Sequence, residues 1–340
     1  MQLGQLEGAM QRALELALLG PAWGINPQVG AVILNPEGRI VAEGYHRGAG
    51  TAHAEVMAIE ELKRSLPYPF PPGYTAVVTL EPCNHFGRTG PCAQALIDAG
   101  ISRVVFSAKD PGQESAGGAV RLRENAVEVI EGVLKDKARE QARVWFTSKQ
   151  LGRPFVTLKW ASSLDGRNAA ADGTSQWISG PESRADAHLM RRAVDAILVG
   201  TGTVLADDPE LTARDQSGNY FEHQPLRVIM GERALPSDKK IFNDRAETIQ
   251  IHSHDSLVVL QQLQSRQVKH LLVEGGSKIA SEFIKNNLVD EFVLYLAPLL
   301  LGGPRLAIGE LGISSMAQAL ELRITEQRLL GKDLLIRARR

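Results

Sequence analysis

His53-Ala54-Glu55-Val56-Met57-Ala58-Ile59, then Ala76-Val77-Val78-Thr79-Leu80-Glu81-Pro82-Cys83, then Pro91-Cys92-Ala93 are the stretches on which the reading of this 340-residue chain turns. Val56, Ile59, Glu60 and Lys63 recur at helical spacing and predict a helix over 53–64, with His53 at its N-terminus. The second stretch is an apolar run that stops at Glu81-Pro82, which predicts a strand over 76–80. A helix over 92–99 and a strand over 103–106 complete a β-α-β unit. Upstream, the runs 29–34 and 40–42 flank the turn Asn35 to Gly38 and read as a hairpin at the head of the same sheet.

Outward from this unit the pattern restarts. Leu151-Gly152-Arg153-Pro154 combines breakers and charge just before a new strand over 155–160, which sets the expected boundary between domains 1–150 and 151–340. Strand-like runs at 196–199, 226–230, 271–273 and 292–297 alternate with helical patterns, so the second half reads as another α/β domain. With 44% hydrophobic residues the chain can fill two cores. Lys and Arg number 38 against 39 Asp and Glu, a net charge of −1, and no block of one sign gathers along the chain. That balance argues against a nucleic-acid or membrane surface. Near the start, Leu14 to Leu19 is apolar but follows Glu7 and contains Glu15, with no basic segment ahead of it; it reads as an amphipathic first helix rather than a leader. Two cysteines, Cys83 and Cys92, and no long apolar span lead to the expectation of a cytoplasmic protein.

Those two cysteines carry the chemistry. His53 opening a helix, Cys83 closing a strand and Cys92 beginning the next helix form a His/Cys/Cys set for zinc, leaving the fourth tetrahedral position to a water whose pKa the metal lowers. Glu55, two residues past the histidine, is placed to take a proton from that water and return it to a ring nitrogen and a departing ammonia, as in zinc deaminases of amino-substituted rings. A closed structural zinc site, or two buried thiols beside a capping histidine, is the plain alternative. It leaves unexplained why both cysteines lie beside prolines and why a glutamate holds that offset. Most such deaminases separate their cysteines by two residues, whereas here Asn84 to Pro91 intervene, a loop whose Asn84, His85 and Arg88 suit substrate recognition or plain solvation.

The residues Gly44-Tyr45-His46, His53-Ala54-Glu55, Thr79-Leu80-Glu81-Pro82-Cys83-Asn84-His85 and Gly87-Arg88-Thr89-Gly90-Pro91-Cys92 resemble the bifunctional riboflavin-biosynthesis deaminase/reductase family. The resemblance continues through Lys159, Ser163-Leu164-Asp165-Gly166-Arg167, Ser175-Gln176-Trp177-Ile178, Ala206-Asp207-Asp208-Pro209 and Val273-Glu274-Gly275-Gly276, so it spans nearly the whole chain. It implies a cytidine-deaminase-like α/β/α domain followed by a dihydrofolate-reductase-like α/β domain. The implied reactions are zinc-dependent deamination of a diaminopyrimidinone carrying a phosphoribosylamino group, then NADPH-dependent reduction of the ribosyl to a ribityl chain. The long loop between the cysteines belongs to the family pattern, and homo-oligomers are its usual form. Departures fall beside the family's pyrimidine pocket: Ile25-Asn26-Pro27 stands for Pro-Asn-Pro, and Gly112-Gln113 follows Asp110-Pro111 in place of Asn-Pro.

For the second half, the resemblance implies cofactor contacts at Ala161, Trp177, Thr203, Asp207, Gly275 and Gly276, and substrate contacts at Ser175, Arg191, Leu211, Arg214 and Glu274, with Asn26 a substrate contact in the first half. Arg191 and Arg214 would meet the substrate phosphate, which suits the planar arginine fork. Lys159, Asp207 and Glu274 stand unranked as groups to assist opening of the ribose ring. Taken alone, Gly275-Gly276-Ser277 after a short strand lets a backbone approach an anion, and is equally what a tight connection requires. Gly200-Thr201-Gly202 lacks dinucleotide-fingerprint spacing, which disfavours an ordinary Rossmann dehydrogenase. His252, His254 and His270 fit no ligand spacing. Two rivals remain: a nucleic-acid base deaminase with an accessory domain, which would want a basic channel, and a non-catalytic scaffold of the same folds, which would not need Glu55.

Overall fold

The computed structural model describes residues 2–85, 90–112 and 115–340. The chain divides into two compact units, Met1–Leu151 and Gly152–Arg340. Leu151 ends a helix of the first unit, so the division falls one residue beyond the expected boundary.

Unit one runs α1 (Leu3–Ala17), β1 (Gly30–Leu34), β2 (Ile40–Tyr45), α2 (Ala54–Leu62), β3 (Thr75–Leu80), α3 (Cys92–Asp98), β4 (Arg103–Ala108), α4 (Gly118–Glu124), β5 (Glu128–Glu131), α5 (Lys135–Gln141) and α6 (Arg143–Leu151). Its sheet has the order β2-β1-β3-β4-β5. β1 is antiparallel to β2 and β3, while β3, β4 and β5 are parallel. Both faces are covered, which explains why β1 is apolar at every position. Ala31 and Ile33 face the cluster with Ala58 and Leu62 of α2 and Leu96 of α3; Val32 and Leu34 face the cluster with Met10 and Leu14 of α1 and Phe146 of α6. The expected first helix forms, but Leu18 and Leu19 lie beyond it and are exposed, so only the front of that apolar run is core.

Unit two runs β6 (Phe155–Ser163), α7 (Pro181–Ala193), β7 (Ala196–Gly200), α8 (Thr201–Asp207), β8 (Leu226–Met230), β9 (Thr248–Ile251), α9 (Ser256–Ser265), β10 (His270–Val273), α10 (Ser277–Lys285), β11 (Glu291–Ala297), β12 (Arg323–Leu330) and β13 (Asp333–Arg339). The sheet order is β12-β13-β11-β6-β10-β7-β8-β9. From β11 to β9 every pairing is parallel, and β12 and β13 add an antiparallel edge. Ala196 and Leu198 pack on the α9 and α10 side, Ile197 and Val199 on the opposite side with Val204 of α8. Parallel strands deliver their C-terminal ends, and the loops after them, to one edge of the sheet, where ligands of open α/β sheets bind. Glu274 after β10 and Thr201 after β7 lie at that edge.

No helix among the described residues is long and apolar enough to cross a membrane.

Candidate active sites

In unit one the ligand set assembles where three elements end. His53 is the N-cap of α2, Cys83 lies three residues past β3, and Cys92 is the first residue of α3. His53 Nδ1 lies 3.0 Å from Cys92 Sγ and 3.6 Å from Cys83 Sγ. All three ligand atoms fall within 4.8 Å of one another, and no other such group of His, Cys, Asp or Glu occurs among the described residues. Tetrahedral zinc bonds of ordinary length put a nitrogen and a sulfur about 3.6 Å apart, so these residues fit the metal. Cys83 Sγ accepts from the Cys92 backbone N–H at 3.4 Å, at the start of α3. The Cys92 thiol is the main donor that lowers Cys83 to about 4, His53 assisting against the cost of burial; Cys92 is pushed up by giving that bond and by burial. One thiolate is thus already favoured before any metal binds. Gly118 at the head of α4 has to be glycine, because a Cβ there would run into the Pro82 carbonyl oxygen one residue from the first thiol.

Glu55 sits one residue into α2 and is 5% exposed. Burial pushes its carboxyl up to about 6, with His53 pulling the other way, so it exchanges protons near neutrality. Together with His53 and Cys83 it lines a cleft of about 750 Å³. Asn26 lines the cleft and donates from Nδ2 to His46 Nε2 at 2.8 Å, while the other ring nitrogen, Nδ1, faces the Ala52 carbonyl at 3.2 Å. A carbonyl only accepts, so Nδ1 carries the proton; burial lowers the His46 pKa and keeps the ring neutral. Glu81 accepts from the Ala119 and Asp110 backbone N–H groups, and Asp110 accepts from Gly112 N at 2.8 Å, which pins the loop after β4 to the cleft wall. His46, Glu81, Asp110, Arg139, Trp145, Phe146 and Lys149 also line the cleft, and sequence reasoning gave none of them a role. His46 and Asp110 at least stood in quoted motifs. The residues of α5 and α6 carried no local signal. Arg88 and Gln113 lie outside the described residues.

In unit two, three of the expected residues form one buried cluster. Glu274 Oε1 accepts from Arg191 Nε at 2.8 Å, and Oε2 from Arg191 Nη2 at 3.0 Å and from Lys159 Nζ at 3.3 Å. Burial alone would raise the Glu274 pKa; the two cations outweigh it and hold the carboxyl well below the usual range. Arg191 also donates from Nη1 to the Thr212 carbonyl at 3.3 Å. That same carbonyl takes His188 Nδ1 at 3.0 Å, and the His188 pKa falls to about 4 through burial and the charges of Arg191 and Arg214. Arg214 itself meets Glu210 at 3.5 Å, and its Nε is buried without a partner among the described residues. Lys159 alternates with Leu158 and Trp160 along β6, so it leaves the face that packs on α10 and points toward Tyr295, whose ring centroid is 5.5 Å from Nζ.

The remaining expectations separate into small groups. Asp207 is raised by partial desolvation against a hydrogen bond from Ser175, which brings those two together. A Cβ on Gly276 would meet nothing nearer than Thr203 Oγ1 of α8 at 3.9 Å, so there is open space at Gly276 on the side toward α8; Gly275, in contrast, is closed off by Ile279. Trp177 is 67% exposed, with the Arg184 guanidinium 4.7 Å above its ring, and Ala161 packs with Tyr295. Leu211 differs from what a substrate-contacting side chain requires: it is 3% exposed in the core with Ile197, Val204 and Ile241, at a positive φ of 55°, which leaves only its main chain for a ligand. His188, which shares the Thr212 carbonyl with Arg191, was missed because no spacing in the sequence ties it to Arg191, Arg214 and Thr212.

Residues 154–336 match the RibD C-terminal domain, and residues 4–108 match the cytidine and deoxycytidylate deaminase zinc-binding region. The chain is 44% identical over 311 residues to the riboflavin biosynthesis protein RibD of Mycobacterium tuberculosis, covering 91% of this chain and 90% of that one. A solved structure of Acinetobacter baumannii RibD superposes with a TM-score of 0.91 at 35% identity, covering 99% of both chains. A diaminohydroxyphosphoribosylaminopyrimidine deaminase/5-amino-6-(5-phosphoribosylamino)uracil reductase from Thermotoga maritima superposes with a TM-score of 0.88 at 34% identity, again over 99% of both.

Proposed function

Because the chain belongs to the RibD family, and is therefore a bifunctional deaminase and reductase of riboflavin biosynthesis that uses zinc and NADPH, we propose that unit one carries the deamination and unit two the reduction, on the substrates that the Thermotoga maritima relative's name describes. The observation that carries the assignment is the buried Glu55 in one cleft with a ligand set of tetrahedral dimensions.

His53, Cys83 and Cys92 would hold the zinc, and the chemistry it would supply is an acidified water as nucleophile. Glu55 would take one proton from the attacking water and pass it to the ring nitrogen, then take the second from the hydroxyl now on the ring carbon and pass it to the amine, so that the C–N bond breaks, ammonia leaves and the carbon keeps the oxygen; a carboxyl near 6 suits both directions. Asn26, fixed against neutral His46, orients the pyrimidine edge. In unit two, NADPH is the reductant. Thr203, Gly276 and the exposed ring of Trp177 offer its contacts, and Ser175 holds Asp207 beside it. Arg191 acts through Glu274, because its fork is already turned onto that carboxylate. Arg214, with a buried Nε still to satisfy, takes the phosphate of the second substrate. Lys159, which donates to Glu274 at 3.3 Å, is the group assigned to assist ring opening. The reading places the enzyme in the cytoplasm, where both free thiols stay reduced for metal. It also takes the enzyme as a homo-oligomer acting on small molecules, with Ile324 and Leu329 exposed on the outermost strand β12 as an apolar edge for a second copy.

The test is the purified zinc-loaded chain given the diaminopyrimidinone phosphoribosyl substrate with and without NADPH. Ammonia is released in both cases and NADPH is consumed only when present with the deaminated product. NADPH loss without prior ammonia release would overturn the order of the two reactions.

A further inference from the structure

The deaminase cleft reaches well beyond the metal. Its volume of about 750 Å³ is on the scale of a cavity for a whole drug-sized ligand, not a single ring. Its charges are sorted. The carboxylates Glu55, Glu81 and Asp110 lie with the metal ligands and the loops after β3 and β4, and Glu81 and Asp110 are spent on backbone N–H groups. On the α5–α6 wall stand Arg139 and Lys149, the only Lys or Arg among the described residues that line the cleft.

Neither cation has a carboxylate within ion-pair distance among the described residues, whereas Arg143, between them in sequence, is paired with Glu140 at 3.6 Å. Arg139 is held in place from below: its guanidinium carbon lies 4.8 Å from the centroid of the Phe146 ring. Phe146 and Trp145 are themselves buried and pack edge to face at 5.1 Å, so the wall that presents the two cations is anchored in the core. Uncompensated cations facing into a cavity attract an anion, and a dianionic phosphate is the anion this substrate brings.

We propose that Arg139 and Lys149 form the subsite for the phosphate of the deaminase substrate, so that the ring lies over the metal and the ribosyl phosphate extends along α5 and α6. The proposal rests on the functional reading above and deepens it. It makes the cleft select a phosphoribosyl pyrimidine over the free pyrimidine or the unphosphorylated riboside.

The experiment compares KM for ammonia release from the phosphorylated substrate and from its dephosphorylated riboside, using the zinc-loaded full chain, its Arg139→Gln/Lys149→Gln variant and Lys149→Arg. Each lost charged contact weakens binding about tenfold, so the double variant raises KM for the phosphorylated substrate about a hundredfold. KM for the riboside stays as in the unaltered chain, and Lys149→Arg retains most of the phosphate preference. Ribose 5-phosphate competes with substrate in the unaltered chain and loses that competition in the double variant. An equal rise for both substrates, or none for either, overturns the phosphate subsite while leaving the deaminase assignment intact. Ammonia from neither substrate with the unaltered zinc-loaded chain overturns the assignment of the reaction, and the subsite with it.

Discussion

The two sites of this enzyme are built on opposite plans. The proposed deaminase site draws its metal ligands and proton carrier from residues 53 to 92, at the start of α2, just after β3 and at the start of α3. The cluster in the reductase unit joins Lys159, Arg191 and Glu274, which are separated by as many as 115 residues and meet only across the sheet. In the first, a metal offsets the charge of the thiolates. In the second, the protein must balance a buried carboxylate with its own cations. A site of the first kind is written in spacing; one of the second kind exists only after folding.

That contrast implies that the two halves fail separately, and by different routes. The largest effect is expected for Glu55→Gln, in which an amide replaces the proton carrier while packing is kept. Ammonia release should fall by about 10²–10⁴-fold, with zinc content and NADPH oxidation on preformed intermediate unchanged. Near-normal ammonia release would break the assignment of Glu55, and a fall in both activities would break the separation of the sites.

Glu274→Ala tests the second plan. It leaves Arg191 and Lys159 with side chains 15% and 16% exposed and no carboxylate between them. Removing one member of a buried charge cluster costs about 3–5 kcal/mol. The expected outcome is an earlier unfolding transition for unit two in denaturant, with loss of reduction and retained ammonia release. Glu274→Gln, if Ala prevents folding, should show the same direction more mildly. The pH dependence follows from the sign of the shift: the folded carboxyl lies below its ordinary 4.5, so its contribution is complete above that value and is lost as the pH falls further through the folded pKa. An unchanged transition in both variants would mean that packing, not the ion cluster, holds this edge of the sheet.

The smallest effect sharpens the same comparison. His188 has its folded pKa lowered from 6.5 to about 4, chiefly by burial and then by Arg191 and Arg214. The unfolded chain therefore binds this proton more readily, and stability present above about 6.5 drains away as the pH falls toward 4. His188→Gln should flatten that slope for unit two without touching unit one, seen as a smaller shift of the denaturant midpoint between pH 7 and pH 5. A titration of the imidazole by NMR should find it neutral at pH 5; a charged ring there would refute the buried setting.

The legibility of the chain follows the same division. Strands buried on both faces announce themselves as apolar runs, unbroken in β1 and β7 and interrupted only by Thr75 and Thr79 in β3 and by the buried Arg227 in β8, which is why all four could be read directly. Of the four edge strands, β2 was read as half of a hairpin; the other three were not. β12 is exposed along most of its length and reads Arg323-Ile-Thr-Glu-Gln-Arg-Leu-Leu330, a pattern that becomes a strand only because β13 supplies its hydrogen bonds. β5 and β9 are short strands of mixed polarity at the other edges, and they too take their register from a neighbour.

By itself, the sequence pointed to His53, Cys83 and Cys92 as the proposed zinc ligands, to Glu55 as the proposed proton carrier and to the alternation of strands and helices, because each leaves a local signature of residue type, offset or periodicity. Tertiary structure alone decided that Arg191 faces Glu274 and not open solvent, that the Leu211 side chain belongs to the core, and that Arg139 and Lys149 share a cleft with Glu55. Local spacing fixes which face a residue takes on its own element. Which distant charge meets it there depends on how the sheet and its helices pack, and no short-range pattern encodes that.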